Sequence, residues 1–590
     1  MQKQKKRIKN SHYNYIEKVL MTAVLLGTIL AAVKSIFISL DIDECYALAV
    51  SYRLATGEKF FMDLWESHQL GSFFLAPFFK MFLLLTGGTD YIVIFCRILG
   101  TILHAIVGYY FCKTIREKVS DFILVLLFAL HMNFLPKWLT LPEFELQQYW
   151  FILLAFAFMY RFFDGLHAEN EVRKRGYLVA AGVMLVFQMF SYPTLILLYP
   201  LYVIGIIVLE RQCHMLVNKK DLYLDILCFT LGALIPGLIF VGYLFSYMSL
   251  GEFMKYVSYI FQDESHTLVS TSDKWKIFGA DFIKIMKNAV VYVVIAFFLH
   301  KLAGRKWKLF GRFVPTLIMF LSLAQAMGCL FGNQNQFYMI WRFLVIGACG
   351  LYLALREYNK TTGSILWFAI LPGFFTVLSV LIMTNMDINT SIAKMFISVV
   401  GCVLLLCLVT DEEDGKYEPV KKDETGIRFM LLCMLAGLFV CKLVQIRVSG
   451  CTETTILAPL TKIANGPAAG IYMLEDEATV LEDDYKELTA RLTKEDKLLY
   501  IGSENIVYLW TDAAVATPST QGTNAYNQMF IDYYKVHPDK MPNVIVKDKE
   551  LGQNPAYYNS PQNTILFDWI EKEFGYTECV ETNYMTIYRK

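Results

Sequence analysis

The sequence predicts a polytopic α-helical membrane protein with a small α/β domain at its C-terminus, on the exterior side. Three observations predict this class. Hydrophobic residues make up 56% of the 590-residue chain and charged residues only 18%, against about 45–50% and about 25% in soluble proteins. The apolar residues fall in runs of roughly 15–25, the scale of a bilayer crossing. The last stretch, residues 450–590, instead alternates short apolar strands with amphipathic helices. Together these exclude a purely soluble enzyme. A net charge of +1, from 54 Lys+Arg against 53 Asp+Glu, lacks the basic excess of a nucleic-acid binder.

In chain order, residues 1–449 hold about thirteen candidate spans. The first, 19–40, follows a basic start of Lys3, Lys5, Lys6, Arg7 and Lys9. It is longer than the apolar core of a secretory signal and reads as a retained anchor. Others lie at 91–112, 121–135, 146–163, 177–190, 194–209, 222–248, 289–300, 313–331, 337–355, 365–383, 392–410 and 429–448. The run 71–85 contains Pro77 and Lys80 and is short for a span, so it is expected in the interface or only partly in the membrane. Alternate loops carry Lys113/Arg116/Lys118, Arg173/Lys174/Arg175, Lys219/Lys220, Arg305/Lys306/Lys308 and Lys421/Lys422. The positive-inside bias places these and the N-terminus in the cytoplasm. An odd number of spans then leaves residues 450–590 outside.

The tail predicts strands at 498–501 and 544–546 and helices at 482–494, 526–534 and 564–574. Neither a phosphate-cradling glycine loop nor metal-ligand spacing occurs in it. Six cysteines, Cys96, Cys112, Cys329, Cys402, Cys407 and Cys433, sit in apolar runs and act as small hydrophobes. Cys451 and Cys579 in the tail either pair with each other or stay thiols.

Chemistry concentrates where the first span meets the outside. Asp41, Asp43 and Glu44 follow the apolar helix directly, then comes a short helical stretch in which Tyr46, Ala49, Val50 and Leu54 share an apolar face with Arg53 at its edge, ended by Gly57. Asp63, Trp65, Glu66, His68 and Gln69 come next. A carboxylate beside a bilayer can accept a proton from an acceptor hydroxyl or amine, or hold a divalent metal facing a phosphate. The plainer alternative is three acids that solvate a helix end.

The order Asp43-Glu44-Cys-Tyr46-Ala47, Leu54-Ala-Thr-Gly57, Asp63-Leu-Trp65, His68-Gln69, an amphipathic apolar stretch and then Arg97-Ile-Leu resembles the first exterior loop of the GT-C membrane glycosyltransferases. The likeness is to the lipid A aminoarabinose transferases and protein O-mannosyltransferases within that family, over residues 35–115. It implies the GT-C fold, with a catalytic loop at 41–90 in residues 1–449. It also implies a sugar carried on a polyprenyl phosphate, moved with inversion to a cell-envelope glycan, lipid or protein on the exterior face of the cell membrane. Asp43 would be the base or orient the acceptor, supported by Glu44, with Tyr46 in the same motif. His68, Arg342 and Lys80 or Arg97 would stabilise the departing phosphate. His68-Gln69 stands where relatives carry Lys-Pro or His-Pro, so a neutral ring that donates one hydrogen bond replaces an ammonium.

The second acid of the family is expected before the fourth span, where the chain offers Glu143 and Glu145. Glu145, nearer the membrane, is preferred; a helix start favoured by its dipole is the alternative. Arg97 pairs either with a loop carboxylate or with donor phosphate. His104 reads as a satisfied interior histidine. Tyr192-Pro193 breaks an apolar run, as helices lining a cavity do. The segment 252–275, with Asp263, Glu264 and His266, reads as a lid or a weak metal cluster. Gly332 to Gln336 followed by Trp341-Arg342 offers amides and a Trp platform for sugar, with Arg342 as a bidentate phosphate clamp or a snorkelling interface residue. A transporter or flippase of lipid-linked saccharides would share the spans, but would place its charges near the midplane in repeated halves. Here the acids cluster at one face and no repeat is evident.

Overall fold

A computed structural model describes residues 15–135, 140–165, 173–213, 219–260, 271–331, 341–383, 388–408, 425–447, 453–502, 504–521, 528–549, 565–566 and 568–590. The helical part comprises α1 (Tyr15–Phe37), α2 (Ile42–Ala55), α3 (Ser72–Thr86), α4 (Ile92–Ile115), α5 (Asp121–Asn133) and α6 (Phe144–Asp164). It continues through α7 (Gly176–Ser191), α8 (Leu198–Cys213), α9 (Lys219–Leu244), α10 (Leu250–Ile260), α11 (Thr271–Ala303) and α12 (Phe313–Phe331). The last helices of the bundle are α13 (Trp341–Arg356), α14 (Lys360–Ile365), α15 (Leu371–Met383), α16 (Ile388–Ala393), α17 (Phe396–Leu408) and α18 (Thr425–Val444). Among the described residues, nine helical runs are long and apolar enough to cross a membrane, and three shorter apolar helices accompany them.

Several features differ from the expectation. Residues 271–288, ahead of the span expected at 289–300, are helical too and belong to α11. Residues Gln69–Thr86 form one helical run of 18 residues, because a 3-10 turn at Gln69–Gly71 leads straight into α3. At 1.5 Å per residue that is about 27 Å, close to the thickness of a hydrocarbon core, so this segment has span length. Arg53, expected at the edge of an apolar face, is wholly buried in α2. The helix is enclosed on nearly every side, because the C-terminal domain covers it. The break at Tyr192-Pro193 is as expected: α7 ends at Ser191, Tyr192 is extended, and a 3-10 turn at Pro193–Leu197 precedes α8.

The sheet-rich part follows α18 directly. β1 (Gln445–Arg447) pairs with β2 (Glu453–Thr455), and β3 (Leu460–Lys462) with β4 (Tyr472–Leu474). Helix α19 (Glu475–Arg491) leads into a five-stranded sheet of order β6-β5-β7-β9-β8. In it β5 (Lys497–Ile501) runs parallel to β6 (Ala514–Val515) and β7 (Val544–Asp548), whereas β9 (Met585–Arg589) is antiparallel to β7 and to β8 (Glu578–Glu581). Helix α20 (Gln528–Val536) lies between β6 and β7 in sequence.

One buried cluster runs through the helical bundle, and a second joins α2, α3 and α4 to the sheet domain through Leu48, Leu75, Phe79 and Ile92 packed with Ile471, Leu488, Ile506 and Trp510. Backbone bonds reinforce the joint: Ser39 N donates to Tyr472 O at 2.8 Å and Trp65 N to Pro518 O at 2.8 Å. The sheet domain is therefore seated on one end of the bundle, over the loop that carries the candidate site.

Candidate functional site

The site is built where α1 hands over to α2. Asp41 N-caps α2, its carboxylate accepting from Asp43 N at 3.0 Å. This capping leaves Asp43 in the first helical turn, half-buried. Glu44, one residue on, turns inward and is fully buried. Both its oxygens meet Arg97 of α4, at 2.6 Å from Nε and 2.5 Å from Nη2. The remaining Arg97 donors reach the carbonyls of Ile36 at 3.1 Å and Ser39 at 2.7 Å. Arg97 thus ties the end of α1 to the start of α2, and its guanidinium is occupied by Glu44 and backbone. Tyr46 is buried and donates its hydroxyl to the Ser67 carbonyl, which draws the loop toward α2.

His68 has φ 57, a left-handed conformation uncommon outside glycine. Its ring stacks on Phe144 at 4.2 Å between centroids and meets Tyr192 edge-on at 4.9 Å. Phe144 approaches so near to Gly71 that a Cβ there would lie 2.9 Å from its own Cβ. Glu143 caps α6, accepting from Glu145 N at 2.8 Å and Leu146 N at 2.9 Å. Glu145 instead forms an ion pair with Lys394, and both side chains are largely buried. The Lys394 ammonium also sits 5.2 Å from the Tyr192 ring centroid. His68, Phe144, Glu145, Tyr192 and Lys394 therefore converge at the sheet-domain end of the bundle, the end at which α2 begins.

Other expected residues have different neighbours. Lys80 is exposed on α3, about two turns beyond its start. Trp341 is buried against Tyr292, with ring centroids 5.2 Å apart. Arg342 lies over Phe343 at 5.4 Å, and Phe343 packs on Phe134 at 5.4 Å. Phe134 lines an apolar cavity together with Leu127, His131, Tyr149, Val399, Val403 and Met434. Asp263, Glu264, His266, the residues from Gly332 to Gln336, Lys421, Lys422 and Cys451 fall outside the described residues. Among the described residues no group of three His, Cys, Asp or Glu could hold a metal.

His104 is a satisfied interior histidine. Trp150 Nε1 donates to its Nδ1 at 2.8 Å, so Nε2 carries the proton and donates to His131 O, also at 2.8 Å. His131 returns the bond to His104 O at 2.9 Å and its Nδ1 meets the Tyr149 hydroxyl at 2.9 Å.

Two residues escaped the sequence reading, and a third, Glu66, was read in the loop without a role. Lys394 lies between α16 and α17, inside a stretch read as one span, and only its isolation among apolar residues marked it. Lys442 sits near the end of α18, 2% exposed, and no hydrogen-bond acceptor reaches its Nζ among the described residues. Glu66 is buried between Arg53, at 3.3 Å, and Thr520 of the sheet domain, whose N and Oγ1 donate at 3.0 and 2.9 Å. Burial pushes the Glu66 carboxyl up from its ordinary value, against the opposing pull of Arg53 and Thr520.

No family model matches the sequence. No curated protein matches it either. Solved structures do. The oligosaccharyltransferase AglB of Archaeoglobus fulgidus, in complex with an inhibitory peptide and a dolichol-phosphate, is similar at TM-score 0.43 and 13% identity, over 91% of this chain and 70% of that one. A second structure of the A. fulgidus oligosaccharyltransferase, tethered to an acceptor peptide, gives TM-score 0.41 and 14% identity with the same coverage. ArnT of Cupriavidus metallidurans, bound to undecaprenyl phosphate, gives TM-score 0.36 and 11% identity over 97% of both chains. Likeness at this level assigns no role to any residue, and the roles below rest on this chain's own geometry.

Proposed function

We propose that this chain is a GT-C type membrane glycosyltransferase that moves a sugar from a polyprenyl phosphate to a cell-envelope acceptor, a glycan, lipid or protein, on the exterior face of the membrane. The observation that carries the reading is the convergence of acids and cations at one end of an apolar bundle. Asp43 opens α2, and the buried Glu145–Lys394 pair stands beside His68 and Tyr192 at that same end. A small apolar cavity lies among α5, α6, α17 and α18 within the same bundle, and an isoprenoid tail would run along the apolar helices. A charged headgroup at the site with an apolar tail in the bundle is the shape of a lipid-linked sugar.

In this reaction the acceptor hydroxyl gives its proton to the Asp43 carboxylate as its oxygen bonds to the anomeric carbon. The bond from that carbon to the phosphate oxygen breaks, and the electron pair leaves with the polyprenyl phosphate. Attack from the opposite face inverts the centre. Negative charge grows on the departing phosphate, and cations positioned in a water-poor site stabilise it most as it grows. Arg342 is one candidate, since a guanidinium grips phosphate bidentately. Lys442 is another, because a buried ammonium with no acceptor among the described residues favours an incoming anion. Glu44 and Arg97 act on this reading as a clamp that aims Asp43, because their charges satisfy each other.

Residues 1–449 would form the membrane catalytic domain with its loop at 41–90, and residues 450–590 the exterior α/β domain, with the N-terminus in the cytoplasm. Mass analysis of envelope glycans and polyprenyl-linked sugars, with and without the protein, tests the reading. A sugar lost from the envelope while its lipid carrier accumulates is the expected result. Unchanged glycans and unchanged carrier pools would sink it.

A further inference from the structure

The loop that carries His68 takes its shape from the sheet domain. Arg53, at the end of α2, spends its donors on Glu58 at 2.5 Å, Glu66 at 3.3 Å and the carbonyls of Asp63 and Thr517 at 2.7 Å each. One Glu66 oxygen faces Arg53. The other accepts three bonds from the sheet domain, from Thr520 N, Thr520 Oγ1 and Ser519 Oγ at 3.0, 2.9 and 3.3 Å. On either side of Glu66 the loop is held as well. Trp65 N donates to Pro518 O, and the Tyr533 hydroxyl donates to Asp63 O at 3.1 Å. The Gln69 side chain closes the loop on itself through Phe61 N, Leu64 O and Glu66 O.

His68 comes two residues after Glu66. A left-handed backbone at a histidine persists where the surroundings impose it. Here the imposing contacts are the Tyr46 hydroxyl on the Ser67 carbonyl, the Phe144 ring under the imidazole, and the Glu66 anchor. A continuous path of contacts therefore runs from Thr520 through Glu66 and the short link of Ser67 to His68, and on through Tyr192 to Lys394 and Glu145. A glutamine at position 66 would keep one acceptor oxygen but turn an amide toward Arg53, losing the charge-assisted contacts.

We propose that Glu66 is a positioning residue: by gripping the Ser519–Thr520 turn of the sheet domain, it sets the conformation of loop 58–69 and so the placement of His68 beside Glu145 and Lys394. The consequence for the reaction rests on the glycosyl-transfer reading above; the control of the loop does not. The sheet domain then acts on the site through the loop it grips.

The test uses the full chain in lipid nanodiscs, with Thr520→Val, Thr520→Ser and Glu66→Gln. Hydrogen exchange read by mass spectrometry on peptides from 58–69 should quicken about tenfold in Thr520→Val and Glu66→Gln as the loop loosens, while Thr520→Ser, which keeps the hydroxyl, should stay near wild type. Turnover with a polyprenyl-phosphate sugar should fall roughly tenfold to a hundredfold through kcat, since a site displaced by about 1 Å loses rate on that scale, and Thr520→Ser should restore it. Unchanged exchange in both Thr520→Val and Glu66→Gln would overturn the proposal, as would a serine variant no better than valine. Quickened exchange in a protein whose wild type transfers no sugar would leave the loop anchor standing and remove the glycosyl-transfer reading instead.

Discussion

Arg97 and Glu44 meet through two charge-assisted hydrogen bonds of 2.6 and 2.5 Å, with neither side chain exposed to solvent. The pair joins the inner flank of α4 to the first turn of α2, one residue from Asp43. Removing one partner strands a buried charge, which costs about 3–5 kcal/mol, whereas replacing both by apolar residues is far milder. Arg97→Met is therefore expected to lower the melting temperature of the detergent-solubilised protein sharply. Glu44→Leu combined with Arg97→Met should recover part of that loss. A single variant that melts like wild type would contradict a clamp at this position.

Asp43→Asn is expected to abolish transfer while protein levels in the membrane stay normal. Loss of a general base costs roughly a hundredfold to ten-thousandfold in rate. Glu145→Gln should also lower activity, and it leaves the buried Lys394 ammonium without its carboxylate, so its melting temperature should fall too. Initial rates with a radiolabelled lipid-linked sugar, scored beside membrane abundance, separate the two effects.

Gly108 lets α4 approach α5 at His131, which is bonded to His104 one turn earlier on α4. A Cβ at that position would lie 2.3 Å from His131 Cδ2, and the ring is held by bonds to His104 O and Tyr149. Overpacking of this kind costs typically 1–3 kcal/mol, so Gly108→Ala should lower the melting temperature by several degrees. Gly100→Ala is expected to be worse, because its Cβ would meet the Thr140 carbonyl, a backbone atom, at 1.7 Å. Equal thermal stability of both variants and wild type would refute these close approaches.

Asp496 couples the sheet domain to acid. Burial raises its carboxyl, but the Thr493 N–H and Arg589 outweigh it and hold the group below its ordinary value. A carboxylate with a depressed folded pKa adds stability above its unfolded pKa of about 3.9, and that stability is lost as pH falls through the lower folded value. The structure around β5 and β9 should therefore loosen below about pH 4. Asp496→Asn should melt lower at pH 7 and show a flatter response to acid, measured by thermal melts across pH 3–7. Parallel pH profiles for variant and wild type would count against this linkage.

Much of the fold was legible in the sequence. Apolar runs of span length, the break at Tyr192-Pro193 and two strands of the tail, β5 and β7, depend on neighbouring residues in the chain, and their patterns are local; the remaining strands, β8 and β9 among them, were not read from the sequence. The acid-rich start of α2 was legible for the same reason, as was the satisfied state of His104, which follows from a lone imidazole on an apolar helix. The span length of Gln69–Thr86 was less visible, because the 3-10 turn that extends α3 contains polar Gln69.

The partners of each charge were decided by tertiary structure alone. Glu44 with Arg97, Glu145 with Lys394 and Glu66 with Thr520 are pairs brought together by helix packing and by the docked sheet domain, and in the last the residues are 454 positions apart. Hydrophobic burial is roughly proportional to area and has no direction, so composition determines that an apolar segment leaves water, whether for protein core or for lipid. Hydrogen bonds and ion pairs need donor and acceptor within a few tenths of an ångström, and only the packed chain supplies that geometry.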